Sequence, residues 1–178
     1  MKMMKKFMMG AAAFCCMMIT GVALTACGSD DSGGNDNNPS ALKGVIMEVK
    51  FLEPEDVLDV CDATISLNDG AEEAITSPNW TKRVTYNGLP AHFSIDMKMT
   101  KKDGKDWDNE KIYSVYILPV SYSLSVFNAK GDTAIVVPHY VSTPQNYKGV
   151  QQMDIAFKKF KEYSNNITLQ KDGTVGYE

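Results

Sequence analysis

The chain has 178 residues, of which 44% are hydrophobic and 22% charged, and its formal net charge at pH 7 is −4. Residues 1–26 carry three lysines and no acidic residue, so the rest of the chain has a net charge of −7. A surface with this charge repels nucleic-acid phosphates, and it lacks the basic surplus that grips anionic lipid. We therefore expect no nucleic acid among the partners of this protein.

The first 26 residues predict a secretory signal peptide. Lys2, Lys5 and Lys6 form a basic start, and the run from 7 to 26 contains no charge. This is the order of regions in a signal sequence. The apolar run is long enough to cross a bilayer, but the acidic residues that follow it are not a stop-transfer flank. We therefore predict cleavage after residue 26.

The end of the apolar run reads Leu24, Thr25, Ala26 and Cys27, which resembles the lipobox of bacterial lipoproteins. The resemblance implies that the small residues Thr25 and Ala26 give the signal peptidase access to the backbone, and that the thiol of Cys27 receives the lipid as a thioether. The resemblance implies that Cys27 anchors the mature protein to a membrane, because several acyl chains suffice for stable anchoring. The alternative is an ordinary cleavage site followed by an unrelated cysteine.

Ser29, Asp30 and Asp31 follow the cysteine closely. They resemble the export signal of surface lipoproteins of the Bacteroidetes type, which implies an outer-membrane protein exposed on the cell surface. The alternative is solvated linker charge on a protein that faces the periplasm. Residues 27–40 are polar and rich in Gly and Asn, a composition typical of a flexible tether.

From residue 41 onward the hydrophobic residues recur with period two, which indicates antiparallel strands that are buried on one face. Cys61 falls on the inward side of one such run, where a small buried thiol needs no partner. Asn87-Gly88 lies between the runs at 80–86 and 93–99 and predicts a hairpin that joins them. Residues 41–178 are therefore expected to form a single all-β domain, large enough to bury a core without disulfides.

The loop that follows, at residues 103–110, is the sharpest candidate binding site. Its acidic side chains offer the hard oxygen ligands that Ca²⁺ prefers, and its tryptophan could stack on a sugar ring or anchor a protein contact. The alternative is a solvated loop whose tryptophan folds back on the core. The candidate residues are Asp103, Asp106, Trp107, Asp108 and Glu110.

Residues 112–137 resemble the E, F and G strands of immunoglobulin-like and fibronectin type III-like sandwiches. Leu118 and Pro119 precede Tyr122, and a glycine-containing loop at 128–131 leads into an apolar run at 133–137. The resemblance implies an antiparallel β-sandwich of the immunoglobulin-like class, with Tyr122 as its tyrosine corner. The paired cysteines and core tryptophan of antibody domains are not evident, so a true antibody-type domain is not expected.

Asp132, Thr133 and Ala134 resemble the O-glycosylation sequence of exported Bacteroidetes proteins, which makes Thr133 a candidate modification site. Further on, residues 145–163 fit either a helix or a strand. A helix would align Val150, Met153, Phe157 and Phe160, and a strand would align Met153, Ile155 and Phe157. Gly149 weakens the helix, and the balance favours a strand.

No catalytic motif stands out along the chain. His92 and His139 lack the spacing of zinc ligands, and no nucleophile elbow, phosphate loop or dinucleotide fingerprint occurs. We therefore expect a protein that is not an enzyme and that has no cofactor besides the candidate Ca²⁺. The sequence favours a lipid-anchored surface module that binds a glycan or a protein. The alternative is an accessory subunit of an outer-membrane complex, whose edge strands pair with a partner.

Overall fold

The computed structural model describes residues 41–177. The predicted signal peptide, the lipobox with Cys27, the export signal at 29–31 and the tether all lie outside the described residues. The elements of the described part are, in chain order, β1 (Leu42–Phe51), α1 (Glu55–Leu58), β2 (Cys61–Leu67), β3 (Glu73–Ile75), β4 (Thr81–Asn87), β5 (Ala91–Lys101), β6 (Ile112–Val115), β7 (Val120–Asn128), β8 (Thr133–Val137), β9 (Gln145–Lys148), α2 (Gly149–Phe160), β10 (Glu162–Leu169) and β11 (Val175–Tyr177).

Two antiparallel sheets pack as a sandwich, which confirms the predicted all-β fold. Sheet A has the order β4-β1-β7-β8, and sheet B has the order β11-β10-β5-β2-β3. A further pair, β6 and β9, is also antiparallel. The period-two alternation creates the core, because every second residue of each central strand points between the sheets. The inward side chains of the two longest strands are Val45, Met47, Val49, Phe51, Ala91, Phe93, Ile95, Met97 and Met99.

The hairpin predicted at Asn87-Gly88 is wrong. The strand before it, β4, pairs with β1 of sheet A, whereas the strand after it, β5, pairs with β2 and β10 of sheet B. Gly88 does adopt the positive φ of +89° that the turn signal indicates. The chain then crosses from one sheet to the other, and the rings of Tyr86 and Phe93 meet edge to face at 4.7 Å. Burial of both inner faces decides the pairing, because a turn signal is only local.

Residues 149–160 form helix α2, so the strand favoured by the sequence is wrong here. The helix buries Met153, Ala156 and Phe160 on one stripe, and Ile155, which a strand would have buried, is 55% exposed. Gly149 begins the helix with a φ of +72°, and a Cβ there would lie 2.9 Å from the carbonyl oxygen of Asn109. The glycine therefore permits the tight helix start and does not weaken the helix interior.

The predicted loop between β7 and β8 is confirmed as a hairpin. The side-chain Oδ1 of Asn128 accepts hydrogen bonds from the backbone N–H groups of Lys130 and Asp132, and Gly131 has a φ of +83°. Tyr122 does not act as a tyrosine corner, which would bond the backbone a few residues upstream. Its hydroxyl accepts a hydrogen bond from Nδ2 of Asn165, 3.2 Å away on β10, and thereby joins the two sheets.

Candidate functional site

The carboxylates of the 103–110 loop have separate partners. Asp106 lies 2.7 Å from Nζ of Lys101, and Oδ1 of Asp108 accepts a hydrogen bond from the backbone N–H of Glu110. Glu110 itself lies 3.5 Å from Lys148. Across residues 41–177, no group of three His, Cys, Asp or Glu side chains is arranged to hold a metal ion. The geometry therefore gives the candidate Ca²⁺ site, which also includes Asp103, no support.

Trp107 folds back on the core and is only 3% exposed, as in the alternative interpretation of this loop and not as in a binding loop with an exposed tryptophan. Its ring meets Tyr113 and Phe157 edge to face, with centroid distances of 5.3 and 5.7 Å. Its Nε1–H donates to Oδ1 of Asp154 on α2, 3.2 Å away. The indole thus buries its apolar surface and satisfies its one polar group. This tryptophan holds the loop against α2 and is not available to stack on a ligand.

Two further polar residues that the sequence singled out are structural. Cys61 is buried, and burial raises the pKa of its thiol to about 12, which leaves it without nucleophilic character at neutral pH. Nδ1 of His92 lies 2.9 Å from Oγ1 of Thr168, across the pair β5–β10. A shallow hollow of about 270 Å³ adjoins this pair on the solvent face of sheet B.

A charged cluster that sequence reasoning missed lies on the outer face of sheet A, around Glu48. The carboxylate of Glu48 contacts Arg83 at 2.7 Å, Lys50 at 3.1 Å and Nε2 of His139 at 3.1 Å. Hydrogen bonds from Arg83, Lys50 and His139 lower the pKa of Glu48 to about 2. No local pattern could have found the cluster, because Glu48 and His139 are 91 positions apart.

Nδ1 of His139 is hydrogen-bonded to Oγ of Ser121 at 3.0 Å, so a hydroxyl, an imidazole and a carboxylate stand in line. Hydrolases use the same three groups, but they need an accessible hydroxyl. Ser121 is 2% exposed and therefore cannot reach a substrate in this conformation. The cluster instead fastens residues 138–144, which follow β8, across the outer face of β7 and β1.

The two edges of sheet A differ in their chemistry. At one edge, β4 carries Lys82, which pairs with Glu73, and Arg83, which pairs with Glu48. At the other edge, β8 reads Thr-Ala-Ile-Val-Val and carries no charge. The side chain of Ile135 is 69% exposed, on the outer face opposite Ser125.

Some backbone N–H and C=O groups of β8 also point away from β7. Asn128 N–H donates to the carbonyl of Asp132 across the hairpin, and hydrogen-bonded pairs alternate along an antiparallel ladder. Ala134, paired with Val126, therefore bonds to β7, and the N–H and C=O groups of Thr133 and Ile135 point away from it. Within the described residues β8 has no strand on that side.

The segment that follows β8 contacts the outer face of sheet A through His139. His139 contacts Ser121 of β7 and Glu48 of β1, so residues 138–144 turn back over sheet A. Tyr140 and Val141 of this segment are exposed. Thr133, the candidate glycosylation site, is also exposed at the start of this strand.

No protein-family model matches the chain, and comparisons with curated proteins and with solved structures found no match. The function must therefore be inferred from the geometry of the chain itself. Of the helices between residues 41 and 177, none has the length and apolar character needed to cross a membrane.

Proposed function

We propose that this protein is a non-catalytic, lipid-anchored module of the bacterial cell envelope, and that it binds a protein partner by accepting a strand at the edge of β8. The observation that carries the proposal is the open edge itself. Among residues 41–177, no strand pairs with the outward backbone groups of Thr133 and Ile135; β8 carries no charge, and Ile135 is 69% exposed. In strand addition the main-chain hydrogen bonds supply affinity, and the alternate side chains supply specificity.

The chemistry of the strand supports this proposal. Soluble proteins usually protect an exposed edge with lysine, proline, a bulge or a covering loop, because an open edge invites pairing with other chains. Between Thr133 and Val137, β8 has no lysine and no proline, and its one irregularity is the register shift against β7 between Ile135 and Val137. Its β-branched residues favour an extended pairing. A protein partner therefore fits this site better than a glycan, since the one tryptophan of the proposed glycan loop, Trp107, is buried.

A photo-crosslinking experiment tests the site. The full chain is expressed in cells with a benzophenone amino acid at position 135, and in a matched control at position 85. Thr85 is also exposed and outward-facing, but it lies on the charged edge strand β4. We expect a discrete crosslinked product from position 135 alone. Products of the same kind from both positions, or none from position 135, would contradict the proposal.

The anchor is the second part of the proposal. Cys27 carries the lipid, and Ser29, Asp30 and Asp31 direct the protein to the outer surface of the outer membrane. Protease treatment of intact cells tests this address against an Asp30→Ala, Asp31→Ala variant. We expect the native protein to be cleaved and the variant to be protected. If both are protected until the outer membrane is opened, the protein faces the periplasm and the partner belongs there.

A further inference from the structure

We propose that residues 138–144, which we call the strap, have two docking positions on sheet A, and that His139 holds them in the one that the structure shows. In that clasped position the strap lies on the outer face of sheet A. In the second, extended position it continues β8 alongside the first half of β7. Such a switch is independent of the strand addition proposed at β8.

The first half of β7 has no strand beside it on the side of β8. β7 contains nine residues, whereas β8 ends at Val137 and pairs only with residues 124–127 of β7. Among the strands between residues 41 and 177, residues 120–123 therefore pair with β1 alone. This stretch of β7 is a bare edge within sheet A.

The backbone groups of Val120 and Tyr122 point to this bare edge. The N–H of Leu52 donates to the carbonyl of Pro119 across β1 and β7. Because successive residues of a strand bond alternately to its two sides, Val120 and Tyr122 face away from β1. Within residues 41–177, no backbone–backbone hydrogen bond reaches them there. Val120 is only 3% exposed, and an unpaired backbone group without access to water is costly. The bare edge therefore favours an extended segment as its neighbour.

The strap is held by a single side chain. In the described part of the protein, its hydrogen bonds are those of the His139 ring with Ser121 and Glu48, at 3.0 and 3.1 Å. None of its backbone groups bonds to another backbone group of residues 41–177. Tyr140 and Val141 are 64% and 51% exposed. A segment with so few hydrogen bonds has a low local stability, so the loss of His139 should free the strap from the outer face.

The register of β8 leads the strap onto the bare edge. The last pair of the β7–β8 ladder joins Val137 to Leu124. Two residues further along, the same register places His139 opposite Tyr122, and the next such pair meets the unpaired groups of Val120. The extended position therefore supplies hydrogen bonds to the backbone groups of β7 that lack them in the clasped position.

The residue types of the strap suit an edge strand. In the continued register, the nitrogen of Pro138 points away from β7, where a missing N–H interrupts no bond to the sheet. Tyr140 and Val141 are of types that favour strands. Val141 would share the inner face with its partner Val120, which lies in the core. The move would thus bury a valine that is 51% exposed in the clasped position.

The two positions exclude each other. The clasped position needs the His139 ring on the outer face, where it contacts Ser121 and Glu48. The extended position turns the same ring to the inner face, because residues opposite each other in a ladder share a face and Tyr122 reaches Asn165 of sheet B. The strap therefore either fastens to the outer face or completes the edge of β7.

Limited proteolysis and hydrogen exchange of the purified full-length protein test the switch. Chymotrypsin cleaves after the exposed Tyr140 in the clasped position, and cleavage is followed by mass spectrometry together with exchange at the Tyr122 amide. The variant is His139→Ala. The matched control is His92→Ala, which removes a hydrogen-bonded histidine of sheet B.

We expect His139→Ala to slow cleavage after Tyr140 at least fivefold and exchange at Tyr122 at least tenfold, because both residues enter a hydrogen-bonded ladder. Ser121→Ala removes one of the two bonds of His139. It should shift both rates in the same direction by less, and it decides the question if His139→Ala does not fold. His92→Ala should match the native protein.

Faster or unchanged cleavage in His139→Ala would show that the strap is merely loosened, and it overturns the proposal. Unchanged exchange at Tyr122 overturns it as well, because the bare edge then stays unpaired. A comparable slowing in His92→Ala has the same consequence, since the change would not depend on the contacts of the strap.

Discussion

The two edges of sheet A are built from strands of similar exposure and opposite chemistry. On β4, Lys82 and Arg83 stand in water, each held by an acidic side chain, Glu73 or Glu48. On β8, five uncharged residues present their backbone and Ile135 to the surroundings. The comparison indicates that charged side chains hinder the addition of another strand to β4, whereas β8 has no charge that would hinder it.

Both strands pair with a central strand, β4 with β1 in continuous register and β8 with β7 with a register shift between Leu124 and Ser125. The two edges also differ in the cost of adding another strand, because desolvating two cations is expensive and desolvating a threonine, an alanine and an isoleucine is not. Changes in the core and changes at the edges should therefore separate into effects on folding and effects on binding.

The largest expected effect belongs to the core and should leave the edge intact. We predict that Trp107→Ala lowers the free energy of unfolding by about 3–5 kcal/mol, because it removes a buried indole and leaves a cavity beside Tyr113 and Phe157. Urea denaturation of the full chain measures this loss. Trp107→Phe, which keeps an aromatic ring, is the control and should lose less. If Trp107→Ala instead keeps the wild-type stability but abolishes the photo-crosslink from position 135, the binding site lies in the 103–110 loop.

Glu53 gives the stability a pH dependence that the edges do not share. It lies buried after β1, and the backbone N–H of Tyr116 donates to its carboxyl group at 3.1 Å. Burial raises the pKa of this group to about 8 from an ordinary value of 4.5, and the nearby Asp56 adds to the rise. Between these two values only the folded state keeps the proton, so stability falls as pH rises from 4.5 to 8.

We predict that Glu53→Gln removes this decline, because the amide carries no titrating proton. The wild type should lose on the order of 3 kcal/mol between pH 5 and pH 8 relative to the variant. Thermal unfolding of both proteins across this range measures the difference. Parallel curves for the two proteins would show that Glu53 titrates normally in the fold.

Glu48 contacts Arg83 of β4 and His139 of the segment after β8, so replacing Glu48 should weaken the attachment of both to sheet A. We predict that Glu48→Gln costs about 1–2 kcal/mol at pH 7, since the bonds to Arg83, Lys50 and His139 lose their charged acceptor. The pKa of Glu48 is lowered to about 2 in the fold, so its contribution is present above pH 4.5 and is lost as pH falls toward 2. Unfolding at pH 7 and at pH 2.5 tests this, and an equal difference at both values would contradict it.

The smallest effect on stability should come from replacing the exposed cations of β4. This replacement removes the difference in charge between the two edges and so tests its role most directly. Lys82→Thr with Arg83→Thr removes two surface ion pairs, which contribute less than about 1 kcal/mol each. It also leaves β4 as uncharged as β8. We expect a benzophenone amino acid at position 85 to give no crosslinked product in the native background and to give one in this variant. If no crosslinked product forms at position 85, the charges of β4 are not what prevents strand addition at this edge.

The sequence predicted the elements of the fold better than their partners. Alternation along 45–51 and 93–99 correctly indicates strands with one buried face, because each strand carries its own pattern. Strand pairing depends on the whole core, so the local turn signal at Asn87-Gly88 predicts a hairpin that does not form. Helix α2 is one of the two structures that the sequence permits, and the sequence favours the strand because Gly149 is a weak residue inside a helix, although it is a suitable residue at a helix start.

The candidate site was harder to predict than the fold. The acidic loop drew attention by composition, yet Trp107 there is tied to Asp154, 47 positions away. The open edge of β8 carries no motif at all. Its strand is visible in the sequence, but its place at the end of a sheet follows only from the order β4-β1-β7-β8. A strand becomes a binding edge through its position in the sheet, which no local pattern contains.

Hydrogen exchange at the amides of β8 tests the open edge most directly. The full lipidated chain is exchanged in membranes, beside Ile135→Lys and Thr85→Lys variants, and the peptides that cover 133–137 and 81–87 are followed by mass spectrometry. We predict slow exchange at Thr133 and Ile135 in the native protein and in Thr85→Lys, and fast exchange in Ile135→Lys, because a charge at that position prevents strand addition. Fast exchange of these two amides in all three proteins would mean that nothing pairs with β8, and that the edge is open without being a binding site.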